Sequence, residues 1–344
     1  MRKKRRLMNK NDLSPSLQAL LKAEQAPNSR RAMVSDLRLY VNWAIEQGID
    51  PPIPAEPVSV AEWIAHLSST RSTSSIVRYI SSLSKVHDKL NAVNPNAVNP
   101  TKSEIVRSAL HGLRRTTDNR PRKAPPLSGK QLLAILDFIP RLEWTCRRNR
   151  ALLATGWAAA LRASELHRLD ISDLELVSDG IVLLIRRSKT DQSSTGHKIG
   201  IPSSPISDII SEWVSALISL YGCKNGPLFP ALSYAQRERW FPAVGLRKRL
   251  SLRSLHKIVS RILETNGISG GTCHSLRRGL ITDAAAAGVP EHVIQRHSRH
   301  RSIAVLRGYV AEGNVMTDNP LPAVFSRLFD SSSSSSIPSS QEDR

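Results

Sequence analysis

Residues 116–126 divide this chain in two. Pro121, Pro125 and Pro126 stand there among charged residues, and proline stiffens and extends such a segment. The segment reads as a linker with a domain on either side. A length of 344 residues suits two domains.

Ahead of the linker, residues 1–115 show helical periodicity and caps and no strand pattern. Helices are predicted over 13–24, 29–47, 58–67, 72–90 and 102–115. The second carries Met33, Leu37, Tyr40, Val41, Ala44 and Ile45 on one face and stops at Gly48. Residues 1–115 thus read as a helical bundle. Between its last two helices, Asn91-Ala92-Val93-Asn94-Pro95 is repeated at once as Asn96-Ala97-Val98-Asn99-Pro100. The prolines and asparagines make this a loop, a local duplication and not a solenoid repeat.

Residues 127–330 form the second predicted domain. Leu127 and Ser128 cap a helix that runs through Phe138, and further helices are expected over 148–160 and, opened by Ser164, 165–169. Segments 180–186 and 196–201 read as strands, with Ser188-Lys189-Thr190 leaving the first. From Ser207 the helical period dominates to Leu328. The serine-rich residues 331–344 are an expected disordered tail. The fold class is mainly α with a small antiparallel β-sheet: a helical bundle followed by an α+β domain.

Charge narrows the partner. Lys and Arg number 49 against 29 Asp and Glu, a formal +20 that suits a polyanion, nucleic acid above all; the ordinary alternative is a merely basic soluble protein. The basic residues recur in groups, at 2–6, 107–123, 141–150 and 237–261, which fits several phosphate-contacting surfaces better than one tail. The first group also resembles a nuclear signal, and a solvated arm touching DNA explains it as well. Aromatics at 5% are too few for a single-strand stacking platform, so duplex DNA is favoured. Cys146, Cys223 and Cys273 form no C-x-x-C pair and argue against a disulfide framework or a zinc site. No metal or cofactor is expected. No apolar run has transmembrane length and no signal-peptide core begins the chain, so a cytoplasmic protein without a membrane partner is expected.

The chemistry-bearing residues each have an ordinary reading. His274 and Arg277 are three apart, on one helix face, and can meet one phosphate; they also pass for a surface pair. Tyr309 lies in a helix capped by Ser302, with Ile303, Leu306 and Val310 on its apolar face and Gly308 weakening the helix. It is a nucleophile or a core tyrosine. Arg162 follows a run of small residues and emerges from a crowded place, where an arginine needs an anion. Glu165 either supplies that anion or turns Arg162 toward a phosphate. Lys189 sits at the turn between the strands, a solvated lysine or a general acid. Along 251–263, Arg253, Lys257 and Arg261 recur on one helix face and are candidate groove contacts, or a solvated basic face.

Taken together, Arg162 in Leu-Arg-Ala-Ser-Glu-Leu, Lys189 in Arg-Ser-Lys-Thr, His274-Ser-Leu-Arg277, and His300 nine residues before Tyr309 resemble the tyrosine recombinase (phage integrase) family. The layout is most like that of Cre-like members, down to the 26-residue interval from His274 to His300. The resemblance covers about 127–328 by motif; residues 1–115 match as a basic helical domain of the right size. Where the family often has Leu-Gly-His, this chain has Ser298-Arg299-His300. His297 competes for that place, but its twelve-residue gap to Tyr309 fits poorly. Tyr221 and Tyr234 follow no suitable histidine.

The resemblance implies a core-binding bundle and a catalytic domain clamping DNA as a C, with Tyr309 forming a 3′-phosphotyrosine. Arg162, Arg277 and His300 would hold the phosphate, Lys189 protonate the leaving 5′-oxygen, His274 assist proton transfer and Glu165 position the site. It implies duplex DNA with an inverted-repeat site, a homotetramer on two sites joined by the apolar segment 320–329, and a bacterial, phage or plasmid origin. With no arm-binding domain ahead of the bundle, a simple system is expected. A type IB topoisomerase-like or telomere-resolving enzyme shares the chemistry, and a silent DNA-binding regulator shares the fold.

Overall fold

The computed structural model describes residues 27–92, 98–116, 123–186, 196–222, 224–232, 248–300, 302–304, 306–308 and 321. The expected helix 13–24, the tail 331–344, Lys189 and Tyr309 lie outside them. The chain divides into two compact units, Met1–Arg122 and Lys123–Arg344. No helix of the described residues is long and apolar enough to cross a membrane.

The first unit holds four described α-helices: α1 (Pro27–Glu46), α2 (Pro57–Ser68), α3 (Thr73–Asn91) and α4 (Glu104–Thr116). In α2, Val60, Trp63, Ile64 and Leu67 are buried, the helical spacing of one inward stripe. Tyr40 of α1 packs edge-on against Trp63, 5.1 Å between ring centres. The buried face of α1 includes the expected Tyr40 and Ala44, with Leu37 and Val41 packed beside them, but it adds Trp43 and Asp36 and leaves Ile45 62% exposed. Periodicity missed Asp36 because a buried carboxylate needs partners that only the fold supplies. Here Arg78 and Ser82 of α3 donate to it at 2.6 and 2.7 Å. In the duplicated loop, Asn99 is buried and ties the chain to α3 through Ser84 and Asp88, at 3.0 and 2.8 Å.

The second unit begins as expected, with Ser128 and Gln131 making a reciprocal cap on α5 (Gly129–Phe138). Helix α6 (Trp144–Ala158) starts four residues before the predicted onset and ends two before the predicted end. A short α7 (Ala163–Arg168) follows. The antiparallel sheet has three strands in the order β1 (Leu174–Val177), β2 (Gly180–Ile185) and β3 (His197–Pro202). The sequence predicts only the last two: β1 has four residues and buries one, too little for an alternating pattern. Helices α8 (Pro205–Tyr221), α9 (Leu252–Thr265), α10 (Cys273–Ala286) and α11 (Glu291–Ser298) complete the described elements. The helical stretch expected from Ser207 is interrupted between α8 and α9, where Pro230 bridges Arg249.

Helix α6 is the centre, packed against α8 and α10, with Leu152, Leu153, Trp213, Leu217, Val259 and Leu276 in the core. The chain entering α5 lies across α10. Leu127 N–H donates to the Ser275 carbonyl at 3.0 Å, and the Trp157 indole donates to the Leu127 carbonyl at 2.9 Å. Gly279 permits this crossing: a Cβ there would land on the Leu127 carbonyl oxygen. Gly279→Ala is therefore expected to destabilise the unit by about 3 kcal/mol or more, read as a lowered urea midpoint. An unchanged midpoint would contradict the contact.

Candidate active site

Thr272 caps α10, its hydroxyl accepting from His274 N–H at 3.1 Å while Ser275 Oγ accepts from Thr272 N–H at 3.0 Å. The cap fixes the first turn, which carries His274 and Arg277. Arg277 is 1% exposed. It donates to the Ala160 carbonyl at 2.7 Å and to His300 Nε2 at 3.1 Å. A guanidinium only donates, so Nε2 is the acceptor and Nδ1 carries the proton. That proton faces Ser298 Oγ at 2.7 Å. Gln295 Nε2 donates to the His300 carbonyl at 3.0 Å.

Arg162 lies at the start of α7. Its guanidinium donates to Glu165 Oε1 at 2.7 Å and to the Arg299 carbonyl at 3.1 Å, and its main-chain N–H donates to Glu165 Oε2 at 2.9 Å. The ion pair between Arg162 and Glu165 is therefore real, and it also aims Arg162 at the segment bearing His300. The carboxylate holds a second cation, Arg299, at 2.9 Å. Arg299 also donates to the carbonyls of Ala159 and Ala160, both at 3.2 Å, and of His297 at 2.8 Å. Arg162, Glu165, Arg277 and His300 thus come together.

The competing His297 is turned the other way. Its Nε2 donates to the Ala158 carbonyl at 2.8 Å, bracing α11 on the end of α6. His274 lies on the exposed side of the same turn as Arg277. Arg253 and Lys257 are exposed on α9, opposite the buried Leu255, Val259 and Leu263. Arg261, farther along, borders an apolar groove of about 380 Å³ lined by Phe138, Pro140, Ile258 and Ile262. Two residues of the basic group 141–150 do not reach outward: Arg148 and Arg150 are buried and donate to the carbonyls of Pro230 and Ile139. Buried main-chain acceptors claim them before any phosphate can.

Arg299, Ser298 and Gln295 join the cluster although none was a candidate from sequence. Their position beside His300 was the available signal. Arg299 reaches Glu165 and two carbonyls more than a hundred residues away, and Ser298 and Gln295 act through a local turn geometry, neither of which side-chain patterns show.

The site's electrostatics follow from burial and cations. Burial pushes the Glu165 carboxyl up, but Arg299 and then the Arg162 main chain and guanidinium outweigh it and hold it below the ordinary value. Desolvation, then Arg277, Arg278 and Arg162, lowers His274. Desolvation and the charges of Arg277 and Arg162 push His300 down to about 3.

A model of the phage integrase family matches residues 126–314, more than half of the chain. The chain belongs to this family of tyrosine recombinases. Among its relatives is an integrase/recombinase XerD homolog of Selenomonas ruminantium, 26% identical over 94% of this chain and 93% of the relative. A tyrosine recombinase of Synechococcus elongatus is 25% identical over 85% and 87%. Among solved structures, the Tn1549 transposon integrase in complex with transposon right end DNA has a TM-score of 0.59 at 17% identity, covering 91% of this chain and 97% of that one. XerH bound to palindromic difH in a post-cleavage complex has a TM-score of 0.57 at 20% identity, over 79% and 72%. These structures share the fold.

A folded-state pKa of about 3 for His300 lies below its value in an unfolded chain, about 6.5. The unfolded chain then binds the extra proton in between, so this contribution to stability is present above about pH 6.5 and is lost as pH falls toward 3. Histidine NMR of the free protein is expected to show His300 neutral, protonated on Nδ1, down to pH 5. A His300 titration near pH 6.5 would refute this electrostatic reading.

Proposed function

We propose that this chain is a site-specific DNA recombinase that cuts and rejoins duplex DNA through a 3′-phosphotyrosine at Tyr309. The observation that carries the reading is the meeting of Arg277 and His300, 3.1 Å apart, beside an Arg162 held by Glu165. Two guanidiniums, from the start of α7 and from α10, and the His300 imidazole from the turn after α11 gather in one small volume, an arrangement suited to two non-bridging phosphate oxygens.

The chemistry follows as a transesterification. The Tyr309 hydroxyl oxygen attacks the scissile phosphorus and its proton passes to His274. His274 suits the role because its lowered pKa leaves it neutral and able to accept at pH 7. The bond from phosphorus to the 5′-oxygen breaks, and Lys189 protonates that oxygen as it leaves. Arg162, Arg277 and His300 stabilise the charge that builds on the phosphoryl oxygens. One phosphoester replaces another, so a 5′-hydroxyl from a second strand can reverse the step without ATP. Sequential exchange through a Holliday junction in a synaptic tetramer is the corresponding pathway. Arg253, Lys257 and Arg261 contribute duplex contacts, and the inverted-repeat site sets the symmetry of assembly.

A duplex nicked near the cleavage site traps the intermediate. The protein is expected to form a covalent adduct in EDTA, Tyr309→Phe none, and Arg162→Ala to slow adduct formation by about 10²–10³-fold. No adduct on the cognate site would favour a silent DNA-binding regulator. Adducts on any sequence, without synapsis, would favour topoisomerase-like strand passage.

Segment 320–329, with Leu321, Val324, Phe325, Leu328 and Phe329, is proposed to dock on a neighbouring copy. Removing residues 320–344 is expected to abolish the tetramer in sedimentation on two-site DNA and to spare single half-site binding. Tetramers of unchanged stability would sink the docking.

A further inference from the structure

We propose that Arg299 is a positioning residue for strand cleavage: through Glu165 it sets the orientation of Arg162, and through its own main chain that of His300. This rests on the phosphate-binding roles proposed above for Arg162 and His300.

Arg299 has φ 58 and ψ 42, the left-handed conformation that closes α11. That conformation suits glycine, and a branched Cα makes it costly. The side chain is nonetheless committed inward, 6% exposed. Its two terminal nitrogens join three separate pieces of the site. One is the end of α6, through the Ala159 and Ala160 carbonyls; another is the end of α11, through the His297 carbonyl; the third is Glu165 of α7. Ala160 is shared, because Arg277 donates to the same oxygen at 2.7 Å.

Glu165 is the link to Arg162. Oε2 takes Arg299 and the Arg162 N–H, which leaves Oε1 facing the Arg162 guanidinium. Without Arg299, Oε2 keeps only the Arg162 main-chain N–H, and the carboxylate that aims the Arg162 guanidinium is held less firmly. The second link runs through the main chain. The Arg299 carbonyl receives Arg162 Nη2, and the next residue is His300. One residue therefore fixes the spacing between two phosphate ligands that lie 138 positions apart in sequence, and a shift of about 1 Å in such a pair costs on the order of 10² in rate. The charged and titratable groups facing Glu165 are Arg162 on its own element, Arg299 from the turn after α11 and His197 from β3.

The test uses the full chain with Arg299→Gly, which keeps the left-handed backbone, and Arg299→Lys, which keeps a charge. Half-site binding at fixed salt is expected to stay within about twofold in both. Single-turnover cleavage of the nicked duplex is expected to fall about 10–100-fold in Arg299→Gly, more steeply at pH 5.5 than at pH 8, because Glu165 loses the guanidinium that keeps it ionised. Arg299→Lys is expected to recover part of the rate and the parental pH profile. Parental cleavage rates in Arg299→Gly would overturn the proposal. So would an Arg299→Lys variant that folds cooperatively yet cleaves no better than Arg299→Gly with an unshifted profile. If Arg299→Gly fails to fold, Arg299→Lys decides alone: a reduced rate with unchanged binding supports positioning, a parental rate overturns it. A parental protein that forms no Tyr309-dependent adduct would instead sink the functional reading.

Discussion

The carbonyls of Ala158, Ala159 and Ala160, where α6 ends and the chain turns away, are the constraint around which the second unit is arranged. A helix leaves its final carbonyls without intrahelical donors, and water usually takes them. Here the helix ends inside the protein, with Ala159 and Ala160 fully buried. Orphaned acceptors in that place cost free energy on the scale of lost hydrogen bonds. The chain supplies His297 to Ala158, Arg299 to Ala159, and Arg299 with Arg277 to Ala160. Donors also complement the negative end of the helix dipole. The groups that satisfy the helix end are those that place a guanidinium and an imidazole beside each other, so architecture and chemistry share the same bonds.

This explains how a strongly basic chain spends its charge. Several arginines of the second unit act as main-chain donors: Arg150 reaches the end of α5, Arg249 the carbonyls of His167 and Leu169, and Arg278 the entering chain at Ala124. A guanidinium suits this work, since it offers five donors in a plane and resists deprotonation. Net charge alone therefore overstates the surface that can meet DNA. Arg253 and Lys257 are exposed and Arg148 is buried, yet in sequence all three look alike.

Legibility in the sequence follows the range of the interaction. Caps, helix stripes and the pairing of β2 with β3 are local, and Ser128, Trp63 and Gly180 announce them. The closeness of Arg162 and Glu165 was legible from their spacing. The spacing to Tyr309 favours His300 over His297, and in the fold His297 donates to the Ala158 carbonyl. What stayed hidden is non-local. Asp36 gives no sign of its burial because Arg78 and Ser82, its partners, lie on another helix. Arg299 carries no signal because three of its acceptors are carbonyls, which have no signature in a sequence, and the fourth, Glu165, is 134 positions away.

On the proposed reading, the same cations that hold the site also govern how it meets a phosphate. With Arg277 donating to Nε2, His300 presents an acceptor where a phosphate ligand must present a donor. Desolvation and the surrounding guanidiniums keep it from taking a proton there. On the proposed reading, a phosphate anion entering between Arg162 and Arg277 reverses that balance: it draws the guanidinium of Arg277 to itself and favours the protonated imidazole by direct charge. Binding of the scissile phosphate and the change of His300 from acceptor to donor are then one linked event. A ring that becomes a donor only beside an anion stabilises bound phosphate selectively and leaves the DNA-free site without an additional positive charge to bury.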